Sequence, residues 1–180
     1  MLVILEYPMK YILIIAVTLL ITFLVYNSSN WIFIAPVKGC NKYSYSQTGF
    51  GAPRVGHKHK GVDIFAKSGT PVISASKGIV IYTGVLSLGG NVVVVLGPAF
   101  NTHYYAHLKT IDTRLGKILN NGDPIGTVGN SGNAKNTPSH LHYSIGTIFP
   151  KWYKDNNNGL SFYTDPVPLL NKYFNTIKIY

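Results

Sequence analysis

Apolar and polar positions divide the chain into two unequal parts. From Tyr11 to Tyr26 the sequence YILIIAVTLLITFLVY carries no charge, and it lies between Lys10 and the polar run Asn27, Ser28, Ser29, Asn30. A bilayer span needs ~20 apolar residues, with a lower limit near ~17, so the pattern predicts a marginal transmembrane helix with tyrosines at its ends. A cleaved signal peptide would have an apolar stretch of ~7–15 residues followed by a small-x-small site. None follows Tyr26 at a sensible distance, so residues 1–26 read first as a signal anchor and second as a signal peptide. The charges flanking this stretch say little about its orientation.

Beyond it the pattern changes. Residues 27–47 are polar enough to read as a tether. Short apolar runs then alternate with Gly, Asn and Pro, which predicts strands at Pro71–Ala75, Ile79–Val85, Val92–Leu96, Thr102–Leu108, Pro124–Val128 and Leu141–Ile148. Val92–Leu96 has no alternation and is expected to be buried on both faces, while Gly89, Gly90 and Asn91 predict a hairpin turn. With 18 Gly, 10 Pro and 13 Tyr and few helix signals, the expected class is all-β. The folded domain is set at residues 48–170, with 171–180 as a C-terminal tail.

At 180 residues the chain has room for one domain, and its 46% hydrophobic content excludes a disordered chain. The net charge of +10, carried almost wholly by lysine, predicts an acidic partner: nucleic acid, anionic lipid or a carboxylate-rich cell wall. No basic helix, stacking motif or zinc-finger spacing supports nucleic acid. The single cysteine, Cys40, excludes an intrachain disulfide and a multi-thiolate metal site, so any metal must use His and carboxylates. The glycine-rich run Gly126–Gly132 lacks the Lys-Ser/Thr pair and helix of a phosphate loop, and reads as a tight turn.

The histidines carry the chemistry. His140 and His142 are two apart, so on a strand both imidazoles leave one face while Leu141 and Tyr143 take the other. His59 and Asp63 are four apart, ~13 Å in an extended chain, so Gly61 is expected to let the chain turn if both bind one ion. Period two also places His103, Tyr105 and His107 on one face, which would bring His107 and Tyr105 to the same cleft. Two imidazoles and one carboxylate are the donor set of a catalytic zinc with an open fourth position. Either member of the His140/His142 pair could be the ligand. His57 and His103 read as ordinary surface or core residues.

The segments FGAPR (Phe50–Arg54), HKGVDIFA (His59–Ala66), GTPV (Gly69–Val72), YYAHL (Tyr104–Leu108), GDPIGTVGNSGNA (Gly122–Ala134) and HLHY (His140–Tyr143) occur in the order found in the lysostaphin-type, or LytM-like, zinc metallopeptidases. The chain resembles that family over residues 48–150. The resemblance implies an antiparallel β-sheet folded around a zinc-containing groove. It implies His59, Asp63 and His142 as zinc ligands, and His107 and His140 as the catalytic pair. It further implies an endopeptidase that hydrolyses peptide cross-links of bacterial peptidoglycan, zinc-bound water attacking the scissile carbonyl with the two histidines assisting. The expected cross-link is D-alanyl to diaminopimelate, and the expected place is the cell envelope, membrane-anchored with the domain in the periplasm, or secreted if the signal is cleaved. Family members that lack ligands act instead as silent activators of amidases, whereas all five positions are filled here. Arg54 and Tyr105 are possible substrate contacts, and peptidoglycan peptide stems are the expected partner.

Overall fold

The computed structural model describes residues 6–29, 32–54, 56–153 and 159–177, and the side chains of 9–22, 32–54, 56–148 and 161–177. The chain forms two units, residues 1–31 and 32–180.

The first unit is a single helix, α1 (Glu6–Ser29). Its described side chains, Met9–Thr22, are exposed and apolar except for Lys10, Thr18 and Thr22, and the hydroxyls of Thr18 and Thr22 donate to the carbonyls of Ile14 and Leu19. The helix is as expected; the transmembrane span is not. Among the described residues no helix is long and apolar enough to cross a membrane.

The second unit is built on strands: β1 (Pro53–Arg54), β2 (His57–Lys58), β3 (Val62–Phe65), β4 (Pro71–Ile73), β5 (Gly78–Leu86), β6 (Gly90–Leu96), β7 (Asn101–Ile111), β8 (Ile118–Leu119), β9 (Pro124–Val128), β10 (His140–Tyr153) and β11 (Gly159–Thr164), followed by the helix α2 (Val167–Ile177). β1 and β2 form a small hairpin, and the other nine strands form one antiparallel sheet ordered β11-β10-β7-β6-β5-β8, with β3 on β10, β9 on β7 and β4 on β9. All six predicted strands are present.

One face of this curved sheet makes the core. Leu141, Tyr143 and Ile145 of β10, Val62 and Ile64 of β3, and Val93 and Val95 of β6 are all buried there. Period-two alternation then sends His140, His142 and Ser144 to the opposite face of β10, and Asp63 to the opposite face of β3. Of Val92–Leu96, expected to be buried on both faces, Val92, Val93 and Val95 have no exposure, whereas Val94 and Leu96 are only partly buried and Val94 lines the groove.

Three segments depart from the expected organisation. Residues 32–47 lie against the sheet: Ala35, Val37 and Tyr45 are buried, and Val37 and Tyr45 bridge to Val72 and Ile64. Phe33 and Cys40 pack against the same core from the side, partly buried. β11 adds an edge strand to β10, and α2 packs Val167 and Leu170 into the core, with Tyr173 and Phe174 against it. The Asp165 carboxylate accepts the backbone N–H of Val167 (2.9 Å) and caps this helix, which runs across the boundary drawn at residue 170. The class is therefore mostly β with a C-terminal helix, rather than all-β.

Candidate metal centre

The β3–β10 register sets His142 directly opposite Asp63. Because both side chains leave the same face, His142 Nδ1 lies 2.9 Å from Asp63 Oδ1. His59 precedes β3, where the chain is not extended, and its Nε2 comes to 3.1 Å from the same Asp63 oxygen and 3.0 Å from His142 Nδ1. The three donor atoms all lie within 4.8 Å of one another.

The chain bends at Gly61, as expected, with a backbone outside the left-handed region. A Cβ placed there would lie 2.6 Å from the Tyr143 carbonyl oxygen and 2.9 Å from the His142 ring. The glycine lets the segment carrying His59 lie directly on β10.

A second layer fixes the orientation of these groups. His59 Nδ1–H donates to the Gly49 carbonyl (2.7 Å), which leaves Nε2 as a lone pair aimed at the cluster. The Arg54 guanidinium, carried on β1, holds the other Asp63 oxygen, Oδ2, at 2.9 Å. Arg54 is thus paired with Asp63 while remaining half-exposed at the groove lining. Burial pushes the Asp63 carboxyl up, but hydrogen bonds and charge from His142 and His59 outweigh it and hold the group well below the usual carboxylate range. These contacts are either hydrogen bonds to the carboxylate, which need a proton on the ring nitrogens, or, with the nitrogens bare, three donor atoms converging on a cation. Two nitrogens and one oxygen at these distances fit a divalent cation that favours mixed N/O donors, as zinc does.

His107 and His140 stand beside the cluster. Their rings are 5.0 Å apart at a steep angle, and His107 is 5.9 Å from His142. His140 Nδ1–H donates to the Pro138 carbonyl (2.8 Å), and His107 Nδ1–H to the Ser131 carbonyl (2.9 Å). Both therefore have Nε2 bare in the neutral ring. Burial, with repulsion from His140 adding to it, pushes His107 down to about 4, so it is neutral at pH 7.

The position of His107 overturns the simple alternation along β7. His107 has a left-handed backbone (φ 61°). Between the pairs Asn91↔Leu108 and Val93↔Tyr105, β7 spends one residue more than β6, which is a bulge. Before the bulge His103 and Tyr105 face the core with no exposure; after it His107 turns to the groove. Tyr105, expected in the cleft, is buried and its hydroxyl accepts the N–H of Ala75 (2.9 Å). The tyrosine that lines the groove is Tyr104, whose ring meets His142 edge-on at 6.2 Å. Tyr163 and Phe65 also line it, and neither had been singled out from the sequence. Alternation from His142 through its partner Ala106 would have pointed to Tyr104.

The wall behind His107 is two loops pressed backbone to backbone. Gly90 (φ 63°) and Gly132 (φ 70°) each occupy the space where a side chain on the other would go. Ser131 ties them together: its Oγ accepts the N–H of Asn91 (2.9 Å) and donates to the Leu108 carbonyl (2.8 Å), while its own carbonyl holds His107.

Comparison with known proteins agrees with this geometry. The peptidoglycan DD-endopeptidase ShyA of Vibrio cholerae is 36% identical over 88 residues, 48% of this chain and 20% of that protein. This chain thus spans about a fifth of the length of that relative. The catalytic domain of the antimicrobial peptidase lysostaphin from Staphylococcus simulans superposes with a TM-score of 0.57 at 28% identity, covering 68% of this chain and 89% of that one. A LytM-type structure from Ruminococcus gnavus gives 0.62 at 25% identity, over 81% and 62% of the two chains. Residues 57–156, which hold all three clustered donors and both flanking histidines, match the model described as peptidase family M23, and the chain belongs to that family.

Proposed function

We propose that the chain is a zinc-dependent endopeptidase that hydrolyses peptide cross-links of bacterial peptidoglycan in the cell envelope. The observation that carries this reading is the convergence of His59 Nε2, Asp63 Oδ1 and His142 Nδ1 on one point of an open groove, with the Nε2 atoms of His107 and His140 alongside. The names of relatives that act on peptidoglycan support the substrate class.

In this reading His59, Asp63 and His142 hold the metal and His107 and His140 move protons. Bound zinc supplies a water acidified to a pKa near ~7 and polarises the scissile carbonyl. One bare Nε2 accepts the proton of the attacking water. The other imidazole stabilises the developing oxyanion only as an imidazolium, with Nε2 also protonated, because in the neutral ring its one N–H is committed to a backbone carbonyl. The proton taken up by the first imidazole passes to the leaving amine, so each ring ends as it began. The backbone carbonyls of Ser131 and Pro138 hold both Nδ1–H groups and so leave each Nε2 free to take a proton.

The test uses the purified chain on isolated sacculi. Release of muropeptide fragments is expected to stop with a chelator and return with added zinc; metal bound without any cleavage would refute the hydrolase reading. His59→Ala and Asp63→Asn are expected to lose the metal. His107→Ala is expected to keep it, with turnover reduced roughly 10²–10⁴-fold, as for loss of a general acid or base.

A further inference from the structure

The groove is chemically asymmetric about the donor cluster. On β10 the groove-facing positions run His140, His142, Ser144, Gly146, so Ser144 and Gly146 lie about 7 Å and about 13 Å beyond His142. Across the register Tyr104 stands beside Ser144, and Tyr163 of β11 stands beside Gly146. Two small residues therefore form a floor between two tyrosines. Above it is Lys60, whose ammonium sits 4.9 Å over the Tyr163 ring.

All ion pairs among the described residues converge on Asp63, and Lys60 is in none of them. Its charge is held at the groove by an aromatic ring, and no carboxylate among the described residues pairs with it. At the opposite end Phe65 meets the His140 ring at a tilt (5.4 Å), and Leu88, Ala134 and Pro138 complete a lining without charge.

Building on the endopeptidase reading, we propose that Lys60, with the tyrosines Tyr104 and Tyr163, forms a specificity subsite for a free carboxylate on a substrate residue adjoining the scissile bond. The uncharged end takes the small apolar residue on the other side, and the groove accepts the peptide in one direction. A carboxylate about 7–13 Å from His142 matches the reach of one long side chain or of two to four extended residues.

The test is equilibrium binding by calorimetry to the full, metal-loaded chain, with cleavage followed in parallel. The probes are two synthetic branched peptides that differ only in a carboxylate or a carboxamide at that residue. The carboxylate peptide is expected to bind roughly tenfold tighter, the usual worth of a charge-assisted hydrogen bond. The ratio should collapse towards one in Lys60→Met, persist in Lys60→Arg and invert in Lys60→Glu. Equal binding of the two peptides by the wild type, or a ratio unchanged in Lys60→Met, would overturn the subsite. Preferential binding without cleavage would remove the hydrolase reading and keep the subsite; cleavage without preference would do the reverse.

Discussion

Arg54 is half-exposed, and by that measure its contact with Asp63 would count for little. Its importance lies in which carboxylate it holds. With Arg54 on Oδ2, Asp63 presents Oδ1 to both histidines. Arg54→Ala is expected to weaken metal binding 10–100-fold, as for other partners of ligating side chains, measured by competition with a chromogenic chelator. Arg54→Lys should recover part of that loss, because a single ammonium cannot reproduce the planar fork. At this scale the sequence was legible where spacing alone decides, as in His140-x-His142 and the His59–Asp63 pair. It misled where the backbone leaves its regular path. The left-handed turn at His107 brings that residue to the groove out of phase with Tyr105, which stays buried in the core while Tyr104 lines the groove. Nothing in the letters YYAHL marks which residue takes the positive φ, since His there replaces the glycine that would have announced it.

The elements divide in the same way. Strands bounded by Gly, Asn or Pro were readable because their turn residues and β-branched runs agree. α2 was not, although its apolar positions Val167, Leu170, Tyr173 and Phe174 have helical spacing and Asp165 caps it. Pro166 and Pro168 hid it, because proline reads as a breaker when it is in fact tolerated in a first helical turn. Leu170 has no exposure and is the main anchor of this helix. Leu170→Ala is therefore expected to destabilise the domain by about 2–5 kcal/mol, read from the urea midpoint at unchanged slope. A loss below ~1 kcal/mol would mean that α2 is not part of the cooperative fold.

For the molecule as a whole, acid stability reports on buried histidine. His103 has no exposure; its Nδ1 meets the Tyr143 hydroxyl at 2.6 Å, and burial pushes it down to about 4. The unfolded chain takes up this proton near pH ~6.5, the folded chain only near its lower value. Between those limits the unfolded state binds more protons, so stability falls as pH is lowered from ~6.5 to 4 and is fully retained above. The contribution at stake is on the order of 3 kcal/mol. His103→Gln should flatten the pH dependence of the urea midpoint across that window; an unchanged slope would place the titration elsewhere. The interlocked glycines Gly90 and Gly132 reach just as far through the molecule. Because neither loop can shift without its neighbour, the amides of Asn91, His107 and Asn133, which bond Ser131 Oγ, the Gly89 carbonyl and the Leu88 carbonyl, open together or not at all. Deuterium should enter all three with one common protection factor, so the wall that supports His107 is a single cooperative unit with no hinge of its own.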